Sequence, residues 1–358
     1  MQISILDLNC DVLYAILSFF NGRSLVEFTA TCQSAYDAAL PHLVSSVQLR
    51  RSVKQVLDFC NFMLSERHNS RTLPMLRSLR IGGISFRGLT LGIFPKLDVI
   101  TTVLQQAHNL KTLEIGQIQW LLECQPRIYD AIVQLPCLTS IYFTAADQQS
   151  LDMISRMHGL RHIHVSHDTD LLPAVRPFQE TLETMSSEYQ FFRNDKDLLS
   201  LADTDQWPHV HTLNLGLLAV QPQCLVRAFP NLRRLRLQGI TRTLKSSPSQ
   251  TNECWSSLDY VEGPVAALHE MAFSCPIREV RLSRSPELVL ERGEDPVIIF
   301  LELVRTTMPT ALYFPIPRRI ESLFRQLAAD LPEMKVLGLS LVYDPMTTFD
   351  RLVCMLVD

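Results

Sequence analysis

Little in this chain points to chemistry. Its nine cysteines, an odd number in 358 residues, include no CxxC pair. That argues against a disulfide framework or a cysteine-rich zinc module, and it predicts buried, reduced thiols in a cytoplasmic or nuclear protein. No apolar run approaches the roughly 18 residues a membrane span needs. The longest strongly apolar stretch, Val297-Ile-Ile-Phe-Leu301, is bounded by charge. Charge of neither sign dominates: 33 Lys and Arg against 37 Asp and Glu leave a net of −4. There is thus no electrostatic case for nucleic acid or an anionic membrane as partner. The start, Met1 to Asp7, lacks the basic region of a secretory signal. A phosphate-cradling glycine loop, a nucleophile elbow and a cysteine–histidine signature are all missing. The expectation is a protein that is no enzyme, with no catalytic residue, no metal and no cofactor. Against these absences stands an apolar fraction of 47% with only 20% charged residues, enough for a substantial core.

What is present is a recurring hexamer, apolar-x-x-apolar-x-apolar. Strong copies start at Leu76, Leu110, Leu138, Leu160, Val210, Leu232, Ile277 and Met334, and weaker ones at Val44, Leu182, Leu258 and Pro309. The last two apolar residues of each copy sit two apart, the period of a strand with one face buried. From Leu76 to Ile277 the copies follow one another at 19 to 34 residues. The segments between carry apolar residues at i, i+3, i+4 and i+7, as helices with one buried stripe do. Helices are predicted at Lys96–Ala107, Arg127–Leu135, Leu151–Met157, Val265–Phe273, Pro296–Thr307 and Ile320–Leu331. Several end in a proline turn, such as Leu135-Pro-Cys-Leu138 and Phe229-Pro-Asn-Leu232, because proline cannot continue a helix.

Stacked strand–helix units of this length resemble leucine-rich repeats over about residues 44–358. The resemblance implies an α/β fold: an irregular solenoid, a horseshoe with its parallel sheet on the concave face. The polar ladder that follows the family's hexamer is absent, its place taken by Ile84, Ile118, Leu218, Ile240 and Val342. Insertions at 178–207, 241–256 and 283–296 break the period, and the chain ends in a helical pattern over Thr347–Val357. The expectation there is closure by that helix or an incomplete chain.

Residues 1–43 follow a different pattern. Leu13, Ile16, Leu17 and Phe20 form one helical stripe, stopped by Asn21-Gly22. Ser24 with Glu27 reads as the capping box of a second helix. Ser34 reads as the cap of a third, Ala35–Leu40, that ends before Pro41. This segment resembles an F-box, whose pattern is matched by Leu8, Val12, Leu13, Ile16, Leu17 and Phe20, then by Leu25, Phe28, Thr31, Cys32 and Tyr36. Asn9 stands where the family has proline, and Gln33 where it has a basic residue. The resemblance implies docking onto the Skp-family adaptor of a cullin–RING ubiquitin ligase, through Leu8, Leu13, Ile16, Leu17, Phe20, Leu25, Phe28, Cys32 and Tyr36. In the same reading Leu8, Leu13, Leu17 and Phe20 are more apolar surface than forty residues can bury, an excess that marks an interface. The alternative is a helical cap on a leucine-rich scaffold with no ligase role.

The third and fifth residues of each hexamer point away from the core. They supply the candidate surface for an unknown target protein: Tyr142, His162, His164, Asn214, Arg234, Arg236 and Arg281. The three arginines read as a basic stretch able to receive an acidic or phosphorylated segment, since guanidinium binds carboxylate and phosphate bidentately. His162, His164, His167 and Asp168 read as strand and turn residues before metal ligands, as do Asp170, Asp203 and Asp205.

Overall fold

The computed structural model describes residues 5–65, 69–83, 96–167, 170–189, 201, 204–216, 222–238, 254–283, 296–315, 327, 329, 331 and 333–340. The chain divides into two compact units, Met1–Asp168 and Thr169–Asp358. Among the described residues no helix is long and apolar enough to cross a membrane.

The first unit opens with α1 (Cys10–Ser18), α2 (Gly22–Thr29) and α3 (Gln33–Ser45). Asn9 is the N-cap of α1: its Oδ1 accepts the Asp11 amide at 2.9 Å, so it satisfies a first-turn donor. Asn21, expected only as a stop, caps α2 by accepting the Ser24 amide at 2.9 Å. The expected Ser24–Glu27 capping box does not form. Glu27 instead lies 2.9 Å from Arg23 one turn away. The third helix is capped by Cys32, whose Sγ accepts the Ala35 amide at 3.5 Å, rather than by Ser34. It also runs through Pro41 to Ser45. Proline costs a helix interior about 3 kcal/mol, but Ala39, Leu40 and Val44 on either side of it are buried, and such burial is worth about 1.5–3 kcal/mol for each large aliphatic side chain. Leu13, Leu17, Leu25 and Ala39 form the module's core, with Leu6, Phe20, Phe28, Ala38 and Leu43 packed around it.

Helix α3 passes directly into β1 (Ser46–Leu49), which pairs in parallel with β2 (Ser78–Ile81). The sheet continues, each strand parallel to the last, through β3 (Thr112–Ile115), β4 (Ser140–Ala146) and β5 (His162–His167). Between them run α4 (Val53–Leu64), α5 (Asn69–Thr72), α6 (Asp98–Gln106), α7 (Ile118–Cys124), α8 (Arg127–Val133) and α9 (Gln148–Ser155). The second unit repeats the plan. Its strands are β6 (Thr184–Tyr189), β7 (Thr212–Leu215), β8 (Arg234–Leu237), β9 (Leu258–Gly263), β10 (Ile277–Leu282), β11 (Ala311–Pro315) and β12 (Val336–Ser340), each parallel to its predecessor from β7 onward. Its helices are α10 (Leu172–Val175), α11 (Pro222–Ala228), α12 (Val265–Glu270) and α13 (Pro296–Thr307).

Every copy of the hexamer, the four weaker ones included, ends in a strand. Its apolar positions are buried in nearly every copy, as in Leu110, Leu113 and Ile115, while the residues between stay half-exposed. The second residue of the hexamer supplies a shared hinge for the backbone. The Arg77 carbonyl accepts both the Lys111 and Thr112 amides, the Lys111 carbonyl accepts Thr139 and Ser140, and the His211 carbonyl accepts Arg233 and Arg234. These paired donors tie the start of each strand to the strand before it. Side chains reinforce the tie. Asn109 Nδ2 donates to the Pro74 carbonyl at 2.7 Å, and Asn231 Nδ2 to Pro208 at 2.9 Å. Trp207 and Trp255, each three residues ahead of a hexamer, donate their indole N–H to Val175 and Phe229 carbonyls near helix ends. Gly116 is required by contact: a Cβ there would sit 2.1 Å from the Gly83 amide nitrogen.

Ile118 opens α7 as a buried helix residue rather than extending a turn. Ile84, Leu218, Ile240, Val342, Asp168, Asp203, most of the 241–256 and 283–296 insertions, most of Ile320–Leu331 and all of Thr347–Val357 lie outside the described residues.

Candidate interaction surfaces

Two surfaces carry the side chains singled out from the sequence. The first is the three-helix module. Leu13, Leu17 and Leu25 are buried there, Leu17 completely. Leu8, Ile16, Phe20, Phe28 and Tyr36 are half-buried, and Cys32 is exposed. Phe20 and Phe28 meet edge to face with ring centres 6.1 Å apart. The apolar excess expected of Leu13 and Leu17 is therefore not there, because Leu25 of α2 and Ala39 of α3, with Leu43 beside them, close over the pair. The most exposed large apolar side chains of the module are others: Phe19 at 89%, Val26 at 56% and Val12 at 49%. Val12 and Phe19 are seven apart and share a flank of α1. Phe19 lies off the stripe of α1, and Val26 was expected only as an apolar residue of the second helix. A large apolar residue off the stripe was itself the available signal.

The second is the strand face opposite the helices, taken in each unit by itself. In the first unit, Tyr142 and His164 stack with ring centres 5.4 Å apart, and His162 stands in register beside Ser140. Glu114 lies 3.6 Å from Arg80 and 3.8 Å from Arg50, long pairs open to solvent on at least one side and hence weak ones. In the second unit, Asn214, Arg236 and Glu262 align across β7, β8 and β9. Arg236 Nη2 lies 3.2 Å from Glu262, and Arg281 Nη2 donates to Glu279 at 2.9 Å. The stretch read as basic is thus a mixed one, with two of its three arginines already held by carboxylates. Tyr260 donates its hydroxyl to Glu262. Burial, then that hydrogen bond and the charge of Glu262, push the phenol up to about 12, so it stays a neutral donor at physiological pH.

Asp205 behaves as neither turn residue nor metal ligand. It is buried and accepts a two-pronged hydrogen bond from Arg176, both contacts 3.0 Å. That bond holds the guanidinium above its ordinary pKa. Asp170 is half-buried, and burial raises its carboxyl although the Leu172 amide bonds it. Burial pushes the Cys60 thiol up to about 12, which makes it a packing residue and no nucleophile. Among the described residues no three His, Cys, Asp or Glu side chains gather as a metal site requires.

Comparison with protein-family models gives no match. Comparison with curated proteins gives none either.

Proposed function

We propose that the chain is a substrate-recognition adaptor of an SCF-type ubiquitin ligase. The three-helix module docks onto a Skp-family adaptor, and the strand face of a leucine-rich-repeat-like solenoid holds a target protein. No residue needs to perform chemistry. A bound target is presented to the conjugating enzyme at high effective concentration.

The observation that carries this reading is the exposure of Phe19, Val26 and Val12 on a module whose own core is already closed by Leu13, Leu17 and Leu25. Large apolar side chains left exposed outside a finished core are the ordinary mark of a partner surface. A second reading, a plain cap on a scaffold, is favoured by one feature: α3 packs on β1 and continues into it with no linker.

Co-expression with a Skp-family adaptor separates the two. The test pair is Val12→Asp with Phe19→Asp, because Leu13 and Leu17 are buried and an aspartate there would unfold the module. The ligase reading predicts an equimolar complex for the natural chain and none for the double variant, with helical circular dichroism unchanged. A folded natural chain that forms no complex, or a folded double variant that keeps it, refutes the reading.

A further inference from the structure

Within the second unit a row of cations and rings crosses five strands on the face away from the helices. The Arg234 guanidinium on β8 lies 5.4 Å from the centre of the Tyr260 ring on β9. Arg281 on β10 lies 5.7 Å from that same ring and 4.7 Å from the Tyr313 ring on β11. Tyr313 in turn rests over Gly338 on β12, where a Cβ would come within 2.0 Å of the ring. The ring can lie flat there only because that position is glycine. The two ends of the row differ. At one end Arg234 is exposed and stacked on a ring face. Among the described residues it is the arginine of this face not held by a carboxylate, since Arg236 is engaged by Glu262 and Arg281 by Glu279. At the other end, Ala311 and Val336 stand in register beside one another, two residues ahead of Tyr313 and Gly338. Val336 is 45% exposed. That end is small and apolar.

We propose that this row seats an extended peptide segment of the target protein, with a single carboxylate or phosphate on Arg234 and an apolar side chain against Tyr313 and Val336. The inference rests on the reading of the strand face as the target surface. A guanidinium stacked on an aromatic face keeps its donor edge open, and it binds such anions by paired hydrogen bonds. Strands stand about 4.8 Å apart, so the three to four steps from β8 to β11 and β12 span about 14–19 Å. Extended chain advances about 3.3 Å per residue, so the anion and the apolar residue are separated by about four to six residues. Glu262 and Glu279 lie between the two ends. Each is paired with an arginine, so the middle of the row offers no second open cation, which sets the segment apart from a uniformly acidic peptide or a nucleic acid.

The test uses the full chain and fluorescence anisotropy with labelled peptides of otherwise neutral random sequence. Each carries one leucine and one glutamate, phosphoserine or glutamine, at separations from two to eight residues. Binding is expected to peak at separations of about four to six and to fall roughly tenfold or more when glutamine replaces the anion. The glutamate and phosphoserine arms decide which anion is used. Arg234→Gln should equalise the anionic and neutral peptides, and Tyr313→Ala should remove the dependence on leucine. Affinity indifferent to the anion or to the spacing, an anion preference that survives Arg234→Gln, or no peptide binding at all overturns the inference. Peptide binding that ignores the anion but is lost in Asn214→Arg overturns it while leaving the strand face as the target surface. Adaptor co-purification reports on the ligase role independently.

Discussion

The contrast between Leu17 and Phe19 is the sharpest stability test the N-terminal module offers. Both are large apolar residues two positions apart, Leu17 in α1 and Phe19 at its C-cap, yet Leu17 is fully buried and Phe19 is 89% exposed. Leu17 packs with Leu13, Leu25 and Ala39 inside a ring of Leu6, Phe20, Phe28 and Leu43. Truncating a buried leucine to alanine costs about 2–5 kcal/mol through lost transfer energy and the cavity left behind. A module of roughly 40 residues carries about 2–6 kcal/mol in total, at about 0.05–0.15 kcal/mol per residue. Leu17→Ala therefore removes a large share of what holds α1–α3 together. Phe19→Ala removes almost no buried area and stays within about 0.5 kcal/mol. Hydrogen exchange read by mass spectrometry over α1–α3 measures this locally. Leu17→Ala should speed exchange of those amides by about thirty-fold to several thousand-fold, at roughly 1.4 kcal/mol per tenfold, and Phe19→Ala should leave them unchanged. The reasoning fails if Leu17→Ala keeps full protection, or if Phe19→Ala loses as much.

Trp255→Phe keeps an aromatic ring against Phe273 but removes the indole donor to the Phe229 carbonyl. Leaving a buried acceptor unpaired costs about 1–3 kcal/mol, so the urea midpoint should fall with an unchanged slope, and a midpoint equal to that of the natural chain would refute the role. Asp170 has its carboxyl raised chiefly by burial. A raised carboxyl contributes stability below the ordinary carboxylate value, and that contribution is lost as pH rises through the folded value. Asp170→Asn should therefore be the more stable protein at pH 7, by under about 1 kcal/mol for a half-exposed group. The advantage should vanish below about pH 4, and melting temperatures across that range decide, a lower value for the variant at pH 7 being the refuting result.

Much of the fold was legible because one local pattern did most of the specifying. Even the copy at Pro309, with proline in place of its first apolar residue, becomes the parallel strand β11. A period of two with one buried face leaves a short segment few other choices. Helix α13 keeps its expected bounds, Pro296–Thr307. The caps were harder. Ser24 and Ser34 have the right side chains, but Asn21 and Cys32 take the extended backbone that a cap requires, and that choice belongs to the turn as a whole. The residues proposed to meet an adaptor were harder still. A helical stripe shows that Leu13 and Leu17 must be covered by something, and it cannot distinguish the chain's own third helix from a partner.

The strand face shows a different kind of limit. Arg236 and Glu262 are 26 residues apart and meet because both occupy the fifth position of adjacent hexamers. Parallel strands from equivalent repeats must align equal positions. Writing the hexamers beneath one another therefore places Glu262 beside Arg236, and Arg281 beside Glu262, before any coordinates exist. What such an alignment cannot supply is depth. Tyr313 reaches Arg281 only because Gly338 leaves room for its ring on the next strand. An alanine at that position would keep the register, the hexamer and the strand while displacing the ring from the end of the row. The repeat thus dictates which residues are neighbours across the sheet, and the smallest side chain in the row decides which of those neighbours touch.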